Sequence, residues 1–256
     1  TAMTNRSILV SGAASGIGRS IAEAFLADGA TVHVCDTSAD AIADFTAANP
    51  KATATRADVS RPDDVARLFS TIDRLDILIN NAGISGPSAG VEDVETDAWD
   101  DCIAVNLSGA FYMTRHAVPL LKQSKAASII NMSSSAGLFG TPMRSPYAAS
   151  KWGLIGLTKT WAMELGPHNI RVNAVCPGCV SGPRIDGVIE RDATERGVDP
   201  NKIRDVYERQ SSMRTFVSPD EIADTVMFLA SDKAGKISGQ AMSVDGHTES
   251  LAIWLD

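Results

Sequence analysis

The sequence predicts an α/β fold in which helices cover both faces of one doubly wound parallel sheet. Short apolar runs alternate with longer segments of helical periodicity along most of the 256 residues, and a glycine-rich segment follows the first run. Strands and helices that alternate in this way are typical of right-handed βαβ crossovers. Ligands of such sheets collect beyond the carboxyl ends of the strands, so we expect the functional residues there.

Five apolar runs predict buried strands, because each is short and nearly continuous: SILVSG, TVHVCD, LDILINN, ASIINMSS and IRVNAVCPG. Helical patterns lie between them, as in GRSIAEAFLADG, RPDDVARLFSTI and YAASKWGLIGLTKTWAMELG. No charge-rich or Pro/Gly/Ser-rich linker and no internal repeat interrupts the alternation. We therefore expect one domain over residues 1–256, a length that is sufficient for a large core.

Residues 181–219 depart from this alternation. The segment is charged, punctuated by Gly and Pro, and only weakly helical. Such an excursion from a sheet is either a mobile substrate lid or a plain pair of surface helices. The sequence leaves both interpretations open.

The composition argues against several classes of protein. A formal net charge of -8 and a pI near 5.0 disfavour a nucleic-acid binder, which needs clustered Lys and Arg. The opening TAMTNRSILVSG resembles neither a signal peptide nor a membrane span. Four cysteines are too few for a disulfide framework, which favours a cytoplasmic protein. The pair in CPGC, Cys176 and Cys179, lacks a second pair or a His cluster, so we interpret both as ordinary thiols and expect no metal site.

The first candidate site is the glycine-rich turn SGAASGIG after the first strand, with Gly12, Gly16 and Gly18. Small residues there let the backbone approach a pyrophosphate, and the following helix offers amide donors and the positive end of its dipole. Asp36 ends the second strand, 18 positions beyond Gly18. Its carboxylate is suited to accept hydrogen bonds from ribose hydroxyls and to repel a 2′-phosphate, which favours NAD over NADP.

The second candidate site is the pair Tyr147 and Lys151 in SPYAASKWG. Residues four apart on a helix share one face, so both side chains can meet one ligand. A tyrosine is a poor base at neutral pH unless a neighbouring cation stabilises its phenolate. Taken alone, such a pair is more often the amphipathic edge of an exposed helix.

Together these segments resemble the short-chain dehydrogenase/reductase family. The family pattern TGxxxGIG occurs with Ser11 in place of Thr, NNAG spans residues 80–83, and Asn106 lies in AVNLSGAF. Ser134 in NMSSSAG precedes the tyrosine of YxxxK by 13 residues, the usual separation, and NAVCPG ends in the family's Pro–Gly turn. The resemblance covers about residues 6–246 and implies one Rossmann-like domain.

The resemblance also implies roles for individual residues. It implies Asn106, Ser134, Tyr147 and Lys151 as the catalytic set: Tyr147 as acid or base, Lys151 lowering its pKa and binding the nicotinamide ribose, Ser134 bonding the substrate oxygen, and Asn106 holding a water. The expected cofactor contacts are Gly12, Ser15, Gly16, Ile17, Gly18, Asp36, Asp58, Val59, Asn81, Tyr147, Lys151 and Val180.

The resemblance implies an NAD-dependent dehydrogenase that acts on a small secondary alcohol such as a sugar, a polyol or a hydroxy acid. A 3-oxoacyl-type ketone reductase is the alternative enzyme, and a non-catalytic NAD-binding sensor is the alternative of another class. Family members are commonly homotetramers, so we also expect a homotetramer with no nucleic-acid or membrane partner.

Substrate contacts are expected from the residues between the catalytic serine and tyrosine, Leu138, Phe139, Met143 and Arg144, and from residues 179–215. Arg144 or Arg184 is suited to an anionic or polyhydroxylated substrate, but a surface salt bridge is an equal alternative. Gly182 stands where the family's PGxxxT pattern has Thr, which puts the usual contact with the carboxamide in doubt.

Overall fold

The computed structural model describes residues 3–252, apart from the side chain of residue 195. These residues form one seven-stranded sheet in the order β3-β2-β1-β4-β5-β6-β7, and every neighbouring pair of strands is parallel. The strands are β1 Ser7–Ser11, β2 Thr31–Asp36, β3 Thr53–Arg56, β4 Ile77–Asn80, β5 Ala127–Met132, β6 Ile170–Pro177 and β7 Ala241–Val244.

The helices follow the strands as crossovers. They are α1 Gly16–Ala27, α2 Ala39–Ala48, α3 Pro62–Phe69, α4 Thr96–Ile103, α5 Gly109–Leu121, α6 Ser145–Leu165, α7 Pro183–Arg196, α8 Pro200–Arg209 and α9 Pro219–Ala230. One face of the sheet packs against α1, α2 and α9, and the other against α3, α5 and α6. The doubly wound parallel sheet predicted from the sequence is therefore confirmed.

All five apolar runs are strands, and their burial explains why they are nearly continuous in sequence. Every residue of β4 and β5 is buried, because helices cover both sides of these central strands. The runs do not include β3 and β7, which lie at the two edges of the sheet and are partly exposed. The strand order reverses between β1 and β4, so a crevice opens there at the carboxyl edge.

Helices α4 and α5 are joined without a loop by a π-turn at Ala104–Ser108. Asn106 lies in the middle of this turn and is buried. A π-turn is uncommon in helices as a whole. Where one occurs, it often lies at a functional site.

The segment 181–219 contains the helix pair α7 and α8. Its helices share a small core formed by Ile189, Ala193 and Ile203. Arg204 of α8 joins Asp186 of α7 at 2.6 Å. The pair therefore has packing of its own, separate from the cores on the two faces of the sheet.

The four cysteines are free, and three of them are buried. Burial raises the pKa of both Cys176 and Cys179 to about 11, so each is a neutral thiol at physiological pH. Within residues 3–252, no group of three or more His, Cys, Asp or Glu side chains is arranged to hold a metal ion. No helix in the same range is long and apolar enough to cross a membrane.

Candidate active site

A cleft of about 1080 Å³ opens at the carboxyl edge of the sheet. It is lined by every residue predicted to contact cofactor or substrate oxygen: Gly12, Ser15, Gly16, Ile17, Gly18, Asp36, Asp58, Val59, Asn81, Ser134, Tyr147, Lys151 and Val180. Of the four residues predicted as the catalytic set, Asn106 alone does not line the cleft, because its side chain is buried. These residues come together because the parallel strands all have their carboxyl ends at this edge, and the segments that follow the strands begin there.

The glycine-rich turn depends on close packing. A Cβ on Gly18 would lie 2.4 Å from the amide nitrogen of Asn81 and 2.4 Å from the carbonyl oxygen of Gly12. The Asn81 amide in turn donates to the carbonyl oxygens of Ser11 and Gly12 at 3.0 and 2.9 Å. Asn81 therefore fixes the turn from the end of β4, a role that the sequence analysis did not assign to it.

The first turn of α1 fits an anion. Ser15 precedes this helix but makes no capping hydrogen bond with its side chain, so the first N–H groups lack the usual partner. Gly16 adopts φ +56, and a Cβ there would meet nothing within 4 Å. An open space at an uncapped helix N-terminus suits the pyrophosphate of a dinucleotide.

Asp36 lies at the rim of the cleft, where β2 ends. Its carboxylate accepts hydrogen bonds from the N–H groups of Ala14 at 3.1 Å and Ser38 at 3.2 Å. These bonds hold the carboxylate in place and leave lone pairs for the hydroxyls of a ribose. Arg56 is its neighbour across the β2–β3 pairing, which the sequence did not reveal, and it donates to the carbonyl of Thr37 at 2.9 Å.

Asp58 and Val59 follow β3 and form the far wall of the cleft. The Asp58 carboxylate accepts from the N–H and the hydroxyl of Ser60 at 2.9 and 2.6 Å. Val59 packs so closely on Gly109 at the start of α5 that a Cβ on this glycine would lie 2.7 Å away. Both residues are thereby fixed as a rigid, half-apolar surface that suits an adenine ring.

Tyr147 and Lys151 lie on the first turns of α6, facing the cleft. The Lys151 Nζ atom is 5.5 Å from the centroid of the Tyr147 ring and donates to the carbonyl of Met132 at 2.8 Å. The Lys151 carbonyl accepts from the Ser133 hydroxyl at 2.8 Å, which ties α6 to the end of β5. The helical spacing therefore puts the amine and the phenol on one face, as the sequence predicted.

The phenol of Tyr147 is easier to ionise than an ordinary tyrosine. Burial opposes ionisation, but the positive charges of Lys151 and Arg184, a hydrogen bond with Ser134 and the charge of Arg144 outweigh it, and the pKa of Tyr147 is lowered. Burial lowers the pKa of Lys151 as well, although Tyr147 opposes that shift. Electrostatics of this kind are typical of a group that exchanges protons.

Asn106 holds the loop that follows β4. Its Oδ1 accepts from the Ile84 N–H at 2.7 Å, and its amide donates to the Ile84 carbonyl at 3.0 Å and to Ser150 of α6 at 3.1 Å. A Cβ on Gly83 would lie 3.2 Å from this Oδ1 and 3.5 Å from the Nζ of Lys151. Asn106 and Lys151 therefore flank the same glycine.

Two arginines meet at the open end of the cleft. Arg144 donates to the Ser85 carbonyl at 2.7 Å, and Arg184 donates to the Ser85 hydroxyl at 3.0 Å. No motif pointed to Ser85, because the three residues are far apart in sequence. Neither arginine belongs to an ion pair among the described residues, so the surface salt bridge is not what the structure contains.

The other expected substrate contacts are distributed differently. Arg144 lines the cleft, but Leu138, Phe139 and Met143 do not. Gly182 lines the cleft with φ +132 and is the N-cap residue of α7. As a glycine it offers no hydroxyl at this position.

An uncapped helix at a glycine turn, with a tyrosine and a lysine lining the same cleft, is the arrangement expected of a dinucleotide-dependent oxidoreductase. The comparisons with known proteins point to the same class. A family model described as enoyl-(acyl carrier protein) reductase, in the alcohol-dehydrogenase short-chain group, matches residues 12–247. The chain belongs to the short-chain dehydrogenase/reductase family, whose members transfer a hydride between NAD(P) and a secondary alcohol or ketone.

Two curated relatives cover nearly the whole chain. A 3-oxoacyl-[acyl-carrier-protein] reductase of Thermotoga maritima is 36% identical over 93% of this chain and 95% of the relative. A D-beta-hydroxybutyrate dehydrogenase of Rhizobium meliloti is 33% identical over 94% of this chain and 97% of the relative.

Two solved structures share the fold and differ in their coenzyme. NAD⁺-bound xylitol dehydrogenase matches with a TM-score of 0.90 at 27% identity and covers 96% of this chain and 100% of its own. A variant actinorhodin polyketide ketoreductase with NADPH matches with a TM-score of 0.89 at 29% identity, over 94% and 96%.

Proposed function

We propose that the protein is an NAD-dependent dehydrogenase of secondary alcohols such as sugars, polyols or hydroxy acids, with Tyr147 as the group that takes the hydroxyl proton. The observation that carries this proposal is the phenol of Tyr147, which faces the cleft beside Lys151 with its pKa lowered. A phenol that ionises more readily is a better base near neutral pH.

In the proposed mechanism the glycine turn, Asp36 and Lys151 would hold a nicotinamide dinucleotide, which would supply the hydride acceptor for the carbinol carbon. The Tyr147 phenolate takes the proton of the hydroxyl, and in the reverse direction the phenol returns it to the carbonyl oxygen. Ser134 donates a hydrogen bond to the same oxygen while charge develops there. Lys151 keeps the phenolate stable with its charge, and its remaining N–H groups bind the ribose. Asn106 holds a water between Lys151 and solvent.

The preference for NAD is proposed from Asp36. A fixed carboxylate accepts hydrogen bonds from ribose hydroxyls and repels a phosphate at the same place. Arg56 lies nearby but its Nε is engaged by the carbonyl of Thr37.

Two further parts of the proposal concern assembly and motion. We expect a homotetramer that pairs α5 and α6 with their copies, and light scattering at the monomer mass would reject it. We expect residues 181–219 to act as a lid of a single catalytic domain, because the segment contributes Arg184 and Tyr207 to the cleft wall.

The Tyr147→Phe variant tests the reaction. We expect turnover to fall by about 10²–10⁴-fold, since proton transfer is lost, while NADH affinity stays within a few-fold of the original. The assay follows NADH formation across a panel of sugars, polyols, hydroxy acids and aromatic alcohols. Tyr112→Phe, on α5 and outside the cleft, is the matched control. Unchanged turnover in Tyr147→Phe would reject the assignment.

A 3-oxoacyl-type ketone reductase is the second candidate, favoured by the Thermotoga maritima relative. It predicts reduction of a 3-oxoacyl thioester with a clear preference for NADPH. A preference for NAD together with alcohol oxidation supports the leading proposal instead.

A further inference from the structure

At the open end of the cleft, the guanidinium groups of Arg144 and Arg184 have more N–H donors than Ser85 accepts. Each guanidinium has five N–H donors in a fixed plane, and Ser85 accepts one from Arg144 and one from Arg184. The Nε of Arg144 is buried without any hydrogen-bond partner. The unpaired Nε shows that the protein itself does not satisfy the Arg144 guanidinium, which leaves part of its hydrogen-bonding capacity for a ligand.

The carboxylates that line this part of the cleft have other partners. Asp192 forms an ion pair with Arg196. Asp245 accepts from the backbone N–H of His247 at 2.9 Å and lies 3.4 Å from the Ser135 hydroxyl. In a protein with a net charge of -8, two cleft arginines without a carboxylate partner are unexpected on electrostatic grounds.

The two arginines also lie close to the reacting group. The Cζ atom of Arg144 is 4.9 Å from the centroid of the Tyr147 ring, so its guanidinium stacks on the phenol that meets the substrate hydroxyl. Arg184 shares the Ser85 anchor and therefore lies on the same side of the cleft. An anion one or a few bonds from the carbinol carbon is then within reach of both.

We propose that Arg144 and Arg184 bind a carboxylate of the substrate, so that the substrate is a hydroxy acid in oxidation and an oxo acid in reduction. This inference rests on the proposed function and narrows it to one class. Two planar guanidinium groups match the two oxygens of a carboxylate, which each can bind through parallel hydrogen bonds. A neutral sugar or polyol would leave both charges unpaired.

The first measurement of this site does not require turnover. The protein, saturated with NADH, is titrated by calorimetry with butyrate and cyclohexanecarboxylate, and then with the uncharged amides of both acids. We expect each acid to bind at least about tenfold more tightly than its amide, since only the acid forms charge-assisted bonds. Equal affinities, or no binding of either acid at millimolar concentration, would overturn the proposal.

The variants Arg144→Gln and Arg184→Gln locate the anion. Each is expected to remove most of the preference for the acid, about 10-fold or more, while NADH affinity is retained. Arg209→Gln on α8 removes the same charge from an exposed position outside the cleft and is expected to keep the preference. If Arg184→Gln weakens NADH binding and leaves acid binding unchanged, Arg184 binds the coenzyme and the proposal fails.

Turnover then separates this inference from the proposed function. We expect hydroxy acids such as 3-hydroxybutyrate to be oxidised with kcat/KM about 10- to 100-fold above that of their methyl esters. Faster oxidation of neutral polyols, or of phosphorylated sugars, would reject the carboxylate site but support the dehydrogenase. If NADH does not bind, the proposed function fails, and the acid and amide titrations of the coenzyme-free protein still test the arginines.

Discussion

At the glycine end of the cleft a single added methyl group would collide with Asn81, whereas at the arginine end Arg184 is exposed and bonded to one serine. The first end is held by backbone groups and by the ends of neighbouring strands. The second end is held by two long side chains, those of Arg144 and Arg184, which meet at Ser85. We therefore expect the glycine end to tolerate almost no change in shape, and the arginine end to tolerate a change in shape more readily than a loss of positive charge.

The largest expected effect is at Gly18. In Gly18→Ala the new Cβ would lie 2.4 Å from the Gly12 carbonyl oxygen, so the turn must move. We expect NADH affinity to fall by at least about 100-fold and Tm to fall by roughly 2–12 °C, as overpacking costs ~1–3 kcal/mol. Fluorescence titration and calorimetry measure both. Gly156→Ala, at an exposed glycine of α6 with open space around it, is the control and should leave NADH binding intact.

The next effect concerns the choice of coenzyme. In Asp36→Asn the charge that repels a 2′-phosphate is removed, and Arg56 remains across the strand pairing. We expect the ratio of kcat/KM for NADP over NAD to rise by about 10- to 100-fold. Asp40→Asn on α2 is the matched loss of charge away from the cleft and should not change the ratio. An original enzyme that already prefers NADP would contradict the role of Asp36.

A smaller effect tests the helix pair at the substrate end. Ile189→Ala opens a cavity in the small core shared by α7 and α8 and should cost about 2–3 kcal/mol locally. We expect hydrogen exchange to accelerate in α7 and α8 and KM for the substrate to rise severalfold, with NADH affinity nearly unchanged. Ile189→Val should give the same pattern with smaller amplitude. Acceleration spread equally over α1 would show that the two ends are one cooperative unit.

The smallest effect is a shift in pH dependence. Under the proposed mechanism oxidation uses the ionised phenol, so its rate should rise with pH through the lowered pKa of Tyr147 and then level off, and reduction should show the opposite trend. Arg184→Gln removes one of the positive charges that lower this pKa, so the midpoint should move to higher pH. With a neutral alcohol as substrate, Arg209→Gln should leave the midpoint unchanged. A midpoint that does not move in Arg184→Gln would show that this arginine has no influence on the phenol.

The sequence predicted the coenzyme end in more detail than the substrate end, for a physical reason. The glycine turn and the Tyr147–Lys151 pair each lie within one short segment, so spacing along the chain is also spacing in the fold. Arg144, Arg184 and Ser85 meet only because the loop after β4, the N-cap of α6 and α7 converge, and no periodicity links them. Arg56 reaches the neighbourhood of Asp36 through strand register, which the chain does not display locally.

The same reason explains the two strands outside the predicted runs. The central strands are covered on both sides and are therefore continuous apolar runs, as β5 illustrates with six buried residues. The edge strands β3 and β7 have four residues each and carry polar side chains on partly exposed faces. Their pairing is set by the neighbouring strand rather than by their own composition.

The π-turn at Ala104–Ser108 makes the length of this helical segment as important as its composition. One additional residue in a turn rotates everything that follows by about 100° around the helix axis. Deletion of a single residue from α4 would therefore rotate the following segment by about 100°, which moves buried Met113 out of its place in the core. The segment should accept many substitutions on its outer face but almost no insertion or deletion. The number of its residues therefore determines where the side chains of α5 lie relative to the cleft.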